Sequence, residues 1–175
     1  MKTIRVAIWG FGAMGSGIGK MIASKQGIQV SGVCDKWDEL VGKEMYDYLG
    51  VDRAGRPEVI ITASEAEIVD RDKTDIVILA TDSFVKAQFD KIMFCLERSV
   101  PVISTAEEMA WPWAQNKDLA DKIDAEAKKR GVAVLGTGIN PGFVLDYLIL
   151  AASGTCEDVE SIKGARINDL APFGK

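Results

Sequence analysis

The stretch Ile4-Arg5-Val6-Ala7-Ile8-Trp9-Gly10-Phe11-Gly12-Ala13-Met14-Gly15 decides the fold, because an apolar strand runs straight into a glycine-spaced turn and then a helical period. A diphosphate can rest on the free amides at a helix N-terminus only where no side chain blocks its approach, and glycine removes that block. In this reading Gly10 makes the tight turn, Gly12 admits the phosphates and Gly15 lets the new helix press against the strand. Phe11, Ala13 and Met14 lie between the glycines and count with them as cofactor contacts. Downstream, Asp35 closes the next strand 20 residues after Gly15, where a carboxylate can accept hydrogen bonds from the adenosine ribose hydroxyls.

Two other readings compete. The glycines can make a plain strand-to-helix turn with Asp35 as a solvated strand end. A class I methyltransferase also carries a ribose-binding acid, but its first loop usually spaces its glycines as G-x-G-x-G.

Outward from this motif, strand-like runs alternate with helical periods, which predicts a doubly wound parallel α/β sheet of the dinucleotide-binding Rossmann type. Strands are expected at Ile4–Trp9, Ile28–Cys34, Val59–Thr62, Asp75–Ala80, Val100–Ser104 and Val132–Leu135. Helices are expected at Ala13–Lys25, Trp37–Leu49, Ser64–Val69, Ser83–Glu97, Asn116–Arg130 and Phe143–Ala152, with Gly27 and Gly131 as stops. Gly15, Gly17 and Gly19 burden the first helix, and close packing on the sheet is their expected return. Gly50–Pro57 reads as a surface loop suited to a flap. The dinucleotide domain is placed at residues 1–154. A fresh strand-like run, Val159–Ile167, then opens a second α+β domain over 155–175, which the chain cuts short at Gly174-Lys175.

Composition narrows the function. A chain of 175 residues with 47% apolar content is large enough to bury a full core, about 70% of its unfolded surface. No run reaches the roughly 20 apolar residues of a membrane helix, and Met1-Lys2-Thr3 leads into a strand with no signal-like segment, so a cytoplasmic protein is expected. A net charge of −5 and no basic stripe argue against nucleic acid as partner, and without a long apolar run no membrane partner is expected. Cys34, Cys95 and Cys156 show no C-x-x-C spacing and read as buried reduced thiols. The chain has no histidine, which removes the commonest general base and zinc ligand, so no metal site and no Ser-His-Asp hydrolase is expected.

Trp111-Pro112-Trp113 is the oddest apolar cluster, since Pro112 should prevent a regular helix there. It reads as core packing, or as an interface to a second domain or subunit, and a homo-oligomer is expected at full length.

Four segments carry a resemblance: Trp9–Gly15, Val33-Cys34-Asp35-Lys36, Ser104-Thr105-Ala106-Glu107-Glu108 and Gly136-Thr137-Gly138-Ile139-Asn140-Pro141-Gly142-Phe143. Over its whole length the chain resembles the 2,4-diaminopentanoate dehydrogenases, which belong with the dihydrodipicolinate-reductase-like proteins. The last segment is the more specific marker. The resemblance implies oxidative deamination of a diamino acid at C4, in ornithine breakdown, with a nicotinamide cofactor. It also implies a substrate domain following Ile167-Asn168-Asp169-Leu170-Ala171-Pro172-Phe173-Gly174. The His and Lys signature of the reductases themselves is absent, which argues against that activity.

Site expectations follow the ends of the strands, where ligands of open α/β sheets bind. The loops after Trp9, Cys34, Ala80, Ser104 and Leu135 should line one crevice. Thr81, Asp82 and Ser83 should border the cofactor, or cap the next helix. Thr105, Glu107 and Glu108 should lie near the nicotinamide, where a carboxylate can hold an amine, or serve as ordinary helix-start acids. Asn140, Pro141 and Gly142 should meet the substrate or the cofactor amide at a helix N-terminus. Trp37 can cover the adenine or anchor a helix start. Asp35 repels a 2′-phosphate and Lys36 offsets part of that, so NAD is expected first, with NADP tolerated. No residue is assigned as catalytic base. The alternative function is a nucleotide-binding module without turnover, or another dehydrogenase of the same kind.

Overall fold

Six parallel strands form one sheet in the computed structural model, which describes residues 2–167 and 169. They are β1 (Ile4–Trp9), β2 (Ile28–Cys34), β3 (Ile61–Thr62), β4 (Ile76–Leu79), β5 (Val102–Ser104) and β6 (Val134–Gly136). Their order, β3-β2-β1-β4-β5-β6, reverses direction between β1 and β4 and opens a crevice at the carboxyl ends there. The helices are α1 (Ala13–Ala23), α2 (Met45–Leu49), α3 (Glu65–Ile68), α4 (Val85–Glu97), α5 (Trp113–Arg130) and α6 (Leu148–Ser153).

The central strand, β1, shows why its sequence is apolar from Val6 to Trp9. Val6 and Ile8 join one core layer with Phe11, Ile22 and Tyr46, whereas Ala7 and Trp9 join the opposite layer with Ile92 and Leu96. Both faces of β1 are covered, so the alternation of a half-buried strand disappears. At the other edge of the sheet, Asp75 ties β4 to β1. Its carboxylate accepts from the Arg5 amide at 2.9 Å and from the guanidinium at 2.9 and 3.1 Å.

Several elements depart from expectation for identifiable reasons. The helix expected over Trp37–Leu49 is reduced to α2, because the preceding amides bond elsewhere: Trp37 N to Asp35, Gly42 N to the Ile61 carbonyl, and Met45 N to the Val59 carbonyl. The expected helix Phe143–Ala152 begins as a π turn, Phe143–Tyr147, before α6. Val159–Ile167 forms no strand; it carries no β-ladder, and Val159 and Ile162 are exposed. Of the stretch that was to follow, Asn168 and Leu170–Lys175 lie outside the described residues.

Pro112 does not prevent a helix but stands at the N-cap of α5 with helical angles, a position that tolerates its missing N–H. The irregularity falls instead at Asn116, with φ −133° and ψ 46°. Trp111 and Trp113 are not in the core; they lean on each other at 5.1 Å and stay exposed. Cys34 and Cys95 are buried, and burial pushes both thiols up to about 12, whereas Cys156 is exposed. Gly17 gives no close packing: a Cβ there would meet nothing within 4 Å.

Candidate active-site cleft

A cleft of about 430 Å3 lies at the switch point, with Gly10, Gly12, Asp35 and Lys36 on one side and Thr81, Asp82 and Lys91 on the other. Backbone bonds fix its floor, Gly10 N to the Cys34 carbonyl and Ala80 N to the Trp9 carbonyl, both at 2.8 Å. A wider groove of about 680 Å3 runs between α4 and α5 past Phe89 and Lys122. It lies away from the strand ends and gathers no loop of the sheet, so the smaller cleft is the candidate site.

The glycine motif divides into two physical roles. Gly10 has φ +94°, and a Cβ there would lie 2.6 Å from the Ala80 carbonyl oxygen. A Cβ at Gly15 would lie 1.8 Å from the Gly10 carbonyl oxygen, so the first turn of α1 rests directly on the glycine turn. These two are demanded by the protein itself. Gly12 is not: nothing lies within 4 Å of a Cβ built there. It is the N-cap of α1, with no side-chain cap and no acidic residue in the first turn. The orphan amides of that turn and the positive end of the helix are thus left open beside the cleft. Ala13 and Met14 stand exposed at this end.

Asp35 joins the end of β2 to the glycine turn. One carboxylate oxygen accepts from Phe11 N at 2.5 Å and the other from Trp37 N at 2.9 Å. Each oxygen keeps a second acceptor position. Phe11 contributes its backbone here, since its ring is fully buried beneath Gly19. Lys36 and Trp37 are exposed at the lip.

Across the cleft, the Lys91 ammonium donates to Thr81 Oγ1 at 2.9 Å and to Asp82 Oδ2 at 2.5 Å. Burial raises the Asp82 carboxyl, but the hydrogen bonds and charge of this cluster outweigh it and leave the group below its ordinary value. Sequence reading passed over Lys91. Its signal was helical spacing, because Lys91 follows the fully buried Gln88 by three residues and so shares its face of α4.

Thr81, Asp82 and Ser83 do not cap α4. The amide of Val85 is instead satisfied by Glu108, 23 residues away, whose Oε2 accepts it at 2.9 Å and also accepts from Asn116 Nδ2 at 3.0 Å. Ser83 offers its carbonyl to Glu108 N at 3.2 Å. Glu108 is therefore a brace between α4 and the kink of α5. Gln88 makes a second brace, donating to the Asp82 carbonyl at 2.8 Å and accepting from Ser104 Oγ at 2.5 Å.

The remaining expected residues leave the same sheet edge without lining this cleft. Thr105 N bonds to the Leu79 carbonyl at 3.1 Å, and Glu107, itself exposed, opens a 3-10 turn, Glu107–Ala110, that buries Met109. Thr137 N bonds to the Ser104 carbonyl, so the loop after β6 starts beside the loop after β5. Asn140 is half-buried and Pro141 buried. The Gly142 amide, expected as an open anion site, is already taken by the Asp146 carboxylate at 2.8 Å.

Among the described residues no cluster of His, Cys, Asp and Glu is placed to hold a metal ion, and no helix is long and apolar enough to cross a membrane.

Residues 143–175 match the 2,4-diaminopentanoate dehydrogenase C-terminal domain. The 2,4-diaminopentanoate dehydrogenase of Acetoanaerobium sticklandii is 46% identical over 174 residues, 99% of this chain and 49% of that protein. The chain thus spans about half the length of the curated relative it matches. An amine dehydrogenase from Mycobacterium smegmatis superposes with a TM-score of 0.80 at 28% identity, over 90% of this chain and 45% of that one. An oxidoreductase from Agrobacterium radiobacter, solved with NAD+, L-tartaric acid and magnesium, shares the fold with a TM-score of 0.57 at 15% identity, over 76% of this chain and 34% of that one. Residues 4–135, the greater part of the chain, match the dihydrodipicolinate reductase N-terminus model, and the chain belongs to that family.

Proposed function

We propose that this chain is the cofactor-holding half of an NAD(P)-dependent amine dehydrogenase acting on a small diamino acid such as 2,4-diaminopentanoate. The observation that carries the reading is Gly12: the one motif glycine that the protein's own packing does not require stands at an uncapped helix end, across from a carboxylate anchored on the next strand. That combination suits a diphosphate flanked by a ribose. The 46% identity to a 2,4-diaminopentanoate dehydrogenase supports the substrate class.

In this reading the amides of Gly12, Ala13 and Met14 hold the diphosphate. Asp35 uses its remaining acceptor positions for the ribose hydroxyls, while Phe11 N and Trp37 N keep it in place. Thr81, Asp82 and Ser83 border the cofactor, Trp37 and Lys36 lie at its adenosine end, and Thr105 and Glu107 lie toward the nicotinamide. The loop Asn140-Pro141-Gly142 approaches the substrate through Asn140, since Pro141 is buried and Asp146 holds the Gly142 amide. When bound, the dinucleotide supplies an acceptor for hydride from the amine-bearing carbon, and the chain's part is to bind, orient and exclude water. Residues 1–154 make up this domain, and 155–175 open a substrate domain belonging to the whole protein. NAD is favoured over NADP because Asp35 opposes a third phosphate.

Titration of the chain with NAD, followed by tryptophan fluorescence, tests the reading, since Trp9 lines the cleft. Gly12→Val should weaken binding by at least about tenfold, some 1.4 kcal/mol, and leave the protein folded. A variant that binds NAD as tightly as the parent would overturn it.

A further inference from the structure

The cleft is lined by four charged side chains, Asp35 and Lys36 on one side and Asp82 and Lys91 on the other. Asp35 is committed to two backbone amides. Lys91 is committed to Asp82, at 2.5 Å, and to Thr81, at 2.9 Å, with its side chain 26% exposed. An ammonium has three donors, and two of the three are engaged within the protein. Asp82 is positioned by Gln88, which bonds its carbonyl from the buried side, so the pair sits on a braced loop rather than a loose one.

We propose that Asp82 is a built-in counter-ion that withholds Lys91 from ligand phosphate, making the Asp82–Lys91 pair a second determinant of the choice between NAD and NADP. The proposal rests on the dinucleotide reading above. The physical case is one of charge and distance. Lys91, Asp82, Asp35 and Lys36 line the same cleft of about 430 Å3, so a phosphate bound in it shares that space with the Lys91 ammonium. An unpaired Lys91 would attract the cofactor that carries the extra phosphate more than the one that does not. Paired with Asp82, its charge is cancelled locally, and that attraction is lost.

The readout is the ratio of NAD to NADP affinity, in which any change common to both cofactors cancels. Dissociation constants for both are measured for the parent chain and for Asp82→Asn, Lys91→Met and the double variant. Asp82→Asn should move the ratio about tenfold toward NADP. Lys91→Met alone should move it the opposite way, because it leaves the Asp82 charge uncompensated. The double variant should lack the NADP gain. A ratio unchanged in Asp82→Asn, or a gain that persists in the double variant, overturns the proposal while leaving the dinucleotide reading intact. Failure of the parent to bind either cofactor overturns both. Both side chains lie at the surface of the cleft, and thermal melting of each variant shows that the affinities refer to folded protein.

Discussion

At the residue scale, the glycines of α1 show that identical residues in one helix answer to different constraints. Gly15 is fixed by the turn beneath it and Gly19 by the Phe11 ring, whose atoms would lie 3.1 Å from a Cβ. Gly12 answers to a ligand in the present reading. Gly17 faces solvent, and nothing in the structure accounts for glycine there. Gly17→Ala should therefore raise stability by about 0.5–1 kcal/mol, the usual cost of glycine in a helix interior, measured as a higher urea midpoint. A lower midpoint would mean that the space beside Gly17 is occupied in solution. The motif itself was legible because its logic is local: strand, turn and helix start follow each other in sequence. Lys91 and Glu108 were not legible as partners of the β4 loop. Their roles depend on a helix folding back over a strand end and on a contact spanning 23 residues.

At the element scale, the strands were readable from buried apolar runs, and β1 and β2 fall where the sequence places them. The long helix before residue 49 was not readable, because Asp35 and the carbonyls of Val59 and Ile61 capture the amides it needed. Periodicity cannot see such competition from distant backbone. A second tertiary link, Asp75 to Arg5, joins β4 to β1 and governs acid behaviour. The Arg5 guanidinium, and after it the Arg5 amide, hold the Asp75 carboxyl well below the usual carboxylate range. A carboxyl depressed in the folded state stabilises the fold above its unfolded value of about 3.9 and loses that contribution as pH falls below it. Asp75→Asn should therefore melt lower than the parent at pH 7, with the gap narrowing progressively below about pH 4. A gap that stays constant across the acid range would show that the carboxylate charge is not what matters.

At the scale of the whole molecule, one sheet edge collects the loops after β1, β2 and β4 into a cleft and sets those after β5 and β6 beside it. The π turn and α6 leave Tyr147 and Leu150 exposed, at 63% and 67%, within the stretch that matches the C-terminal domain of the diaminopentanoate dehydrogenases. The family was legible early because the glycine motif and the segment Gly136–Phe143 are contiguous.

The central claim, that the open end of α1 and Asp35 together hold a dinucleotide, is tested most directly by mapping backbone amide shifts of the chain during titration with NAD. The account predicts saturable shifts concentrated at Gly10–Gly15, Asp35, Lys36 and Ala80–Asp82. Shifts confined to the groove between α4 and α5, or no saturable shift at all, would contradict it.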